Sequence, residues 1–219
     1  MAARRELLRL RWRIDGRTAA TVVAVAVAAI VVTSLVAASG DVPAWEATVA
    51  RWINGWPGWL EPIMWSLQQV GIMLAPVVAG LVVVWSTRRW SYLVPFALVP
   101  PIRIFVESSI KSAVDRERPF TSIGSEIEVR GTEFAGAAFP SGHVATAFAL
   151  ALLLMAFVTM RWRIVVGCWA GMVGVARIYQ GEHNLLDVVA GAALGLALGA
   201  VLAFASLSGP MSHEADEGS

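Results

Sequence analysis

Three stretches of this 219-residue chain carry residues whose types and spacing suit phosphate chemistry: Lys111 with Arg118-Pro119, Pro140-Ser141-Gly142-His143, and Arg177 with His183 and Asp187. Residues four apart share one face of a helix, so Asp187 can accept from one imidazole nitrogen of His183 and leave the other as a directed lone pair. A base or nucleophile oriented by a third group is the general form of an activated nucleophile. Taken alone, the same pair also reads as an interfacial ion pair. Arg177 precedes His183 across the turn Gln180-Gly181-Glu182. Its planar fork matches phosphate oxygens, whereas an arginine at a span end can also simply snorkel to headgroups.

Pro140-Ser141-Gly142-His143 opens an apolar helical run. The first N–H groups of a helix lack internal partners and carry the positive end of the dipole, which makes an anion site. Ser141 suits the N-cap, Gly142 lets backbone approach a ligand closely, and His143 stands at the mouth, where a general acid belongs. The plain alternative is a Ser-capped helix with a chance histidine. Lys111 and Arg118 add two cations. Charges so close to apolar runs are costly unless paired or used. Arg103, Glu107 and Lys111 repeat at four-residue intervals on one helix face, so Arg103 and Glu107 are expected to pair and position Lys111.

The elements that position these residues follow from composition. Hydrophobic residues make up 57% and charged residues 15% of the chain, against about 25% charged in soluble domains. The apolar residues fall in blocks long enough to cross a bilayer, which takes roughly 20 helical residues. The expectation is an all-α polytopic membrane protein of six spans: 19–38, 62–85, 92–114, 141–160, 164–179 and 185–207. It is read as a single membrane-embedded domain over 1–219. Residues 1–18 form a basic N-terminus, 19–207 a six-span bundle with its core at about 92–207, and 208–219 an acidic, disordered tail in which His213 is inert. The first block exceeds the 7–15 residues of a signal h-region and is read as a retained anchor.

Gly167, Gly171 and Gly174, and the ridge Gly191, Gly195 and Gly199, are read as close helix packing. The single cysteine, Cys168, excludes an intramolecular disulfide and is read as a small packing residue. Arg4, Arg5, Arg9, Arg11, Arg13 and Arg17, then Arg88 and Arg89, then Arg161 and Arg163, all fall on one side. The positive-inside rule makes that side cytoplasmic, with both termini inside and the three stretches outside. Trp45, Trp52, Trp56 and Trp59 mark Val42–Leu60 as an interfacial helix, broken near Gly55-Trp56-Pro57-Gly58, that anchors the chain to the outer leaflet. The loop Asp115–Phe139 carries Glu126, Glu128, Arg130 and Glu133 with Phe120, Phe134 and Phe139, and is expected to cover the site.

Lys111-x6-Arg118-Pro119, Pro140-Ser141-Gly142-His143 and Arg177-x5-His183-x3-Asp187 together resemble the three signature motifs of the type 2 phosphatidic acid phosphatase (lipid phosphate phosphatase) superfamily, in its bacterial membrane-integral branch. One position departs: the residue before Arg177 is Ala176 where the family usually has serine, which removes one hydrogen bond to phosphate. The resemblance implies that His183 attacks phosphorus and forms a phosphohistidine. Asp187 orients it, and His143 protonates the leaving oxygen and then activates water. Lys111, Arg118, Arg177 and the backbone at Ser141-Gly142 hold the phosphoryl oxygens. No metal and no other cofactor is expected.

The implied activity is metal-independent hydrolysis of a phosphate monoester or pyrophosphate of a membrane lipid on the extracytoplasmic face of a bacterial plasma membrane. Candidate substrates are polyprenyl (pyro)phosphate carriers, phosphatidic acid and phosphatidylglycerophosphate. The expected partners are that lipid phosphate and the bilayer, with no nucleic acid. Two rivals remain: a lipid phosphotransferase using the same site, and a non-catalytic lipid-binding or transport protein. The particular lipid and the oligomeric state are open.

Overall fold

The computed structural model describes residues 12–130 and 136–207. Arg4, Arg5, Arg9, Arg11, Glu133, Phe134, His213 and the expected tail lie outside them. The described residues form nine α-helices and no strand: α1 Gly16–Ala37, α2 Ala44–Asn54, α3 Glu61–Gln68, α4 Ala75–Thr87, α5 Leu93–Val114, α6 Pro119–Ser122, α7 Gly142–Met155, α8 Met160–Tyr179 and α9 Leu185–Leu207. Among them α1, the stretch Trp90–Ser122 that contains α5, and α9 are long and apolar enough to cross a membrane. Leu35 and Phe105 project outward at 72% and 74% exposure, the arrangement expected where hydrocarbon surrounds a bundle.

The sequence boundaries hold closely for α1, α5 and α9. α7 stops at Met155, before the expected 160, and α8 begins at Met160 rather than 164. The expected continuous span 62–85 is instead broken. α3 ends at Gln68, a 3-10 turn covers Gln69–Gly71, and α4 restarts with Pro76 in its first turn. Proline lacks the N–H that a continuing helix would need there and is preorganised for a helix start.

α7 and α9 form the centre of the bundle. The expected glycine ridge on α9 is what lets them meet: a Cβ on Gly191 would stand 2.5 Å from the Ser141 carbonyl oxygen, and one on Gly199 would stand 3.1 Å from that of Ala149. On α8 only part of the expected packing appears. Gly174 is closed off by Val188 and Gly167 touches Met155, while Gly171 faces open space. Cys168 is exposed, which corrects its reading as a packing residue: it lies on the outward face of α8 beside exposed Trp169. α1 lies along α9, and α4 and α5 form a hairpin in which Phe96 and Val99 pack into the cluster with Phe157 and Leu153.

α2 is amphipathic. Trp45 and Trp52 are exposed, and Glu46, Ala47, Ala50, Ile53 and Asn54 are buried. It is bound to the bundle by polar contacts as well as apolar ones. The Asn54 amide donates to the carbonyls of Glu128 and Tyr179 at 2.8 and 2.9 Å, and Arg51 pairs with Glu126 at 2.5 Å.

Candidate active site

Four helix ends gather the chemistry. α5 presents Lys111 one turn before its end. Asp115 stops that helix in a left-handed conformation at φ 42°, its N–H closing on the Lys111 carbonyl at 2.9 Å. The chain then turns to deliver Arg116 and Arg118. Arg103 and Glu107 pair as expected, and Glu107 also holds the Lys111 ammonium at 3.0 Å. Gly142, in the first turn of α7, lies directly over this pair: a Cβ there would collide with the Arg103 guanidinium and the Glu107 carboxylate. The glycine is therefore required for close approach of the second stretch to the first.

Ser141 occupies the N-cap position of α7, but its hydroxyl makes no capping bond. That hydroxyl is buried without a hydrogen-bond partner, a feature that in native structures calls for an explanation. The Ser141 N–H donates to the Asp187 carbonyl at 3.0 Å, which ties the second stretch to the third.

His183 lies in the turn between α8 and α9 and is 3% exposed. Gly181 in that turn has φ +72°, and a Cβ on it would stand 2.7 Å from the Glu128 carbonyl oxygen. Both the backbone conformation and the space demand glycine. The described part of the loop Asp115–Phe139 thus rests on the turn that carries His183, with Arg130 N–H donating to the Gln180 carbonyl at 3.0 Å. The His183 Nδ1 to Asp187 Oδ2 distance is 3.6 Å. This falls in ion-pair range and beyond a hydrogen bond. Catalytic hydrogen bonds are often longer before substrate binds than after. Burial, then the charges of Arg177, Arg118 and Lys111, hold the imidazole well below its usual 6.5, against a hydrogen bond with the Ala138 backbone. His183 is therefore neutral at neutral pH, with a lone pair on one ring nitrogen.

Arg118 and Arg177 close on a carboxylate that sequence reasoning passed over. Glu182 accepts from Arg118 at 2.8 Å and lies 3.4 Å from Arg177, one residue from His183. Burial pushes the Glu182 carboxyl up, and the two arginines oppose this. Arg177 also donates to the Gln68 side chain at 2.5 Å, so the end of α3 helps orient it. Ala176, the departure from the usual serine, is fully buried against Tyr179 and Ile178 and offers no donor.

Arg116 and Glu46 also went unremarked in the sequence. Arg116 lies within the first stretch, where its spacing alone does not set it apart. Glu46 did leave a trace: it shares the stripe of Ala50 and Ile53 at i, i+4, i+7, and a carboxylate on an apolar stripe needs a buried partner. The structure supplies Arg116, which donates to Glu46 at 2.6 and 3.1 Å and to Asp187 at 2.8 Å.

An apolar cleft of about 530 Å³ is bounded by Gln69 and Ile72 of the broken span, Ala75 and Ala79 of α4, Leu150 and Ala151 of α7, and Trp169 of α8.

The sequence profile of the PAP2 superfamily matches residues 90–207. A lipid A 4'-phosphatase of Bacteroides thetaiotaomicron is 40% identical over 68 residues, which cover 31% of this chain and 30% of that relative. The bacitracin transport permease protein BcrC of Bacillus licheniformis is 30% identical over 141 residues, covering 63% of this chain and 67% of the relative. The fold is similar to the crystal structure of a transmembrane PAP2 type phosphatidylglycerolphosphate phosphatase from Bacillus subtilis. That similarity has a TM-score of 0.60 at 22% identity, over 79% of this chain and 92% of the other.

Proposed function

This chain belongs to the PAP2 superfamily, and from that premise we propose that it is a metal-independent lipid phosphatase. The substrate is a phosphate monoester or pyrophosphate of a membrane lipid. The reaction runs through a phosphohistidine, on the extracytoplasmic face of a six-span bundle whose termini are cytoplasmic and whose catalytic core is about 92–207. The observation that carries this reading is the convergence of Arg118 and Arg177 on Glu182, one residue from a buried, neutral His183.

In the first step a lone pair on His183 attacks phosphorus and the phosphorus–oxygen bond to the lipid breaks. His143, protonated once the anionic phosphate lies beside it, gives that proton to the departing oxygen. Asp187, paired with Arg116 at 2.8 Å, balances the positive charge that the imidazole acquires. In the second step His143 takes a proton from water as the oxygen attacks phosphorus. The phosphorus–nitrogen bond breaks, which returns neutral His183 and releases phosphate. Lys111, Arg118, Arg177 and the N–H groups opening α7 hold the phosphoryl oxygens. Preorganised donors of this kind supply the largest share of such catalysis.

The apolar cleft, lined by Ala147 one helical turn after His143, supports a substrate with a hydrocarbon tail. Candidates are polyprenyl (pyro)phosphate, phosphatidic acid and phosphatidylglycerophosphate. The Bacillus licheniformis relative is named as a transport permease, and transport is the rival reading. Hydrolysis is favoured because the ionisable groups of the site collect at one set of helix ends.

The test is phosphate release from a panel of lipid phosphates in detergent with chelator present, comparing the wild type with His183→Ala. Chelator-resistant release that disappears in the variant supports the reading. Equal release from the variant overturns the phosphohistidine. Loss of substrate without free phosphate points to transfer onto another acceptor.

A further inference from the structure

Asp187 is fully buried, and a buried carboxylate stays ionised only with a partner and hydrogen bonds. One of its oxygens accepts from Arg116 at 2.8 Å, and the other accepts the Asn184 N–H at 2.8 Å. Arg116 is itself forked onto Glu46 of α2, which is also fully buried. Glu46 does one thing more: its Oε1 accepts the N–H of Leu186 at 2.7 Å. That N–H is one of the unpaired donors of the first turn of α9, the turn that presents Asp187. Glu46 therefore holds the aspartate through the Arg116 guanidinium and through the backbone of the residue beside it. The charges run minus, plus, minus from Glu46 to Arg116 to Asp187, whose Oδ2 lies 3.6 Å from His183 Nδ1.

We propose that Glu46 and Arg116 are positioning residues of the reaction, a buried relay that fixes the orientation and charge of Asp187 and, through it, of His183. The inference rests on the phosphatase reading. It makes α2, which lies outside the matched segment 90–207, a part of the catalytic apparatus and more than a membrane anchor. Neither residue touches phosphate. The groups that face His183 from the other elements are Lys111 on α5, Arg118 ahead of α6, His143 on α7, Arg177 on α8, and Glu182 in the turn itself.

The test uses the full chain in detergent with Glu46→Gln and Arg116→Lys. Glutamine keeps the shape and the bond to Leu186 while removing the charge. Lysine keeps the charge but cannot fork between two carboxylates. Removing one partner of a buried pair can weaken folding, so kcat is expressed per folded molecule, counted by size-exclusion chromatography. The expected result is a kcat lowered roughly 10²-fold, the scale of a small misplacement at a reacting centre, with KM within about twofold of wild type. In Glu46→Gln the acid limb of the kcat profile should also move to lower pH, because Arg116 then draws more fully on Asp187 and the imidazolium loses support. A purely structural role would scale the profile without moving that limb.

Orthovanadate, a tetrahedral phosphate analogue that becomes five-coordinate when a nucleophile bonds it, gives a readout that does not need turnover. The wild type should bind it at least tenfold more tightly than either variant. Wild-type kcat per folded molecule in both variants, or equal vanadate affinity, overturns the relay. If the wild type hydrolyses no lipid but binds vanadate more tightly than the variants, the hydrolase reading falls and the relay stands. If the wild type binds none, both fall.

Discussion

Gly71 lies so close to His143 that a Cβ on it would stand 2.6 Å from the His143 carbonyl oxygen and 2.9 Å from the His143 Cβ. The interruption of the second apolar block thus has a structural consequence: the 3-10 turn Gln69–Gly71 sits against the first turn of α7. Gly71→Ala must push that turn or the histidine aside. Overpacking of this kind costs about 1–3 kcal/mol, and displacing a general acid should lower kcat by roughly tenfold or more. Phosphate release and thermal unfolding in detergent check both. Gly171→Ala, which meets nothing within 4 Å, is the control and should change neither.

The pH dependence follows from His183. Its imidazole is held well below 6.5 by burial and then by Arg177, Arg118 and Lys111. The reacting form is neutral, so the acid limb of kcat/KM should lie below pH 6.5. The unfolded chain takes up this proton near 6.5 and the folded chain does not, so stability should fall as pH drops from about 6.5 toward the folded value. A pH–rate profile and unfolding series between pH 4 and 8 test this, and an acid limb above 6.5 would contradict it.

Glu182 is held by Arg118 and Arg177, the cations proposed to bind phosphate. Glu182→Gln removes a competing negative charge from between two guanidinium groups. Hydrogen bonds to charged groups contribute about 1.5–3 kcal/mol, so inorganic phosphate should inhibit the variant roughly tenfold more strongly. Inhibition constants measured at constant ionic strength decide it. Weaker inhibition would mean that Glu182 serves chiefly to hold the arginines in place.

Ala79 lines the apolar cleft. Ala79→Phe should raise KM for long-chain lipid phosphates several-fold and leave a short-chain, water-soluble analogue unaffected. Equal effects on both would remove the cleft as the seat of the tail.

Two substitutions test the histidines separately. Removing a general acid costs 10²–10⁴-fold, so His143→Ala, with the proposed nucleophile intact, should retain a trace of phosphate release and form phosphoprotein slowly. His183→Ala should do neither. Acid-labile phosphate on the protein after rapid quenching distinguishes them.

The chain's own order settled what is local. Apolar blocks set the positions of α1, α5 and α9, since a membrane-length helix satisfies its backbone within one segment. The spacing Arg103, Glu107, Lys111 set an ion-pair ladder because four residues make about one turn, and the ladder is there. The Gly191, Gly195, Gly199 repeat marked a close helix contact, and α7 fills it. Tertiary structure decided what is distant. Glu46 and Arg116 stand 70 residues apart, and nothing in local periodicity says which guanidinium a buried carboxylate will find. Pro76 marks the restart of the second span locally, but the seating of Gly71 against His143 is tertiary, and so is the placement of Glu182 between two arginines. Helical period and hydropathy are properties of neighbours in sequence. The partners of a buried charge are set by which helix ends the bundle brings together.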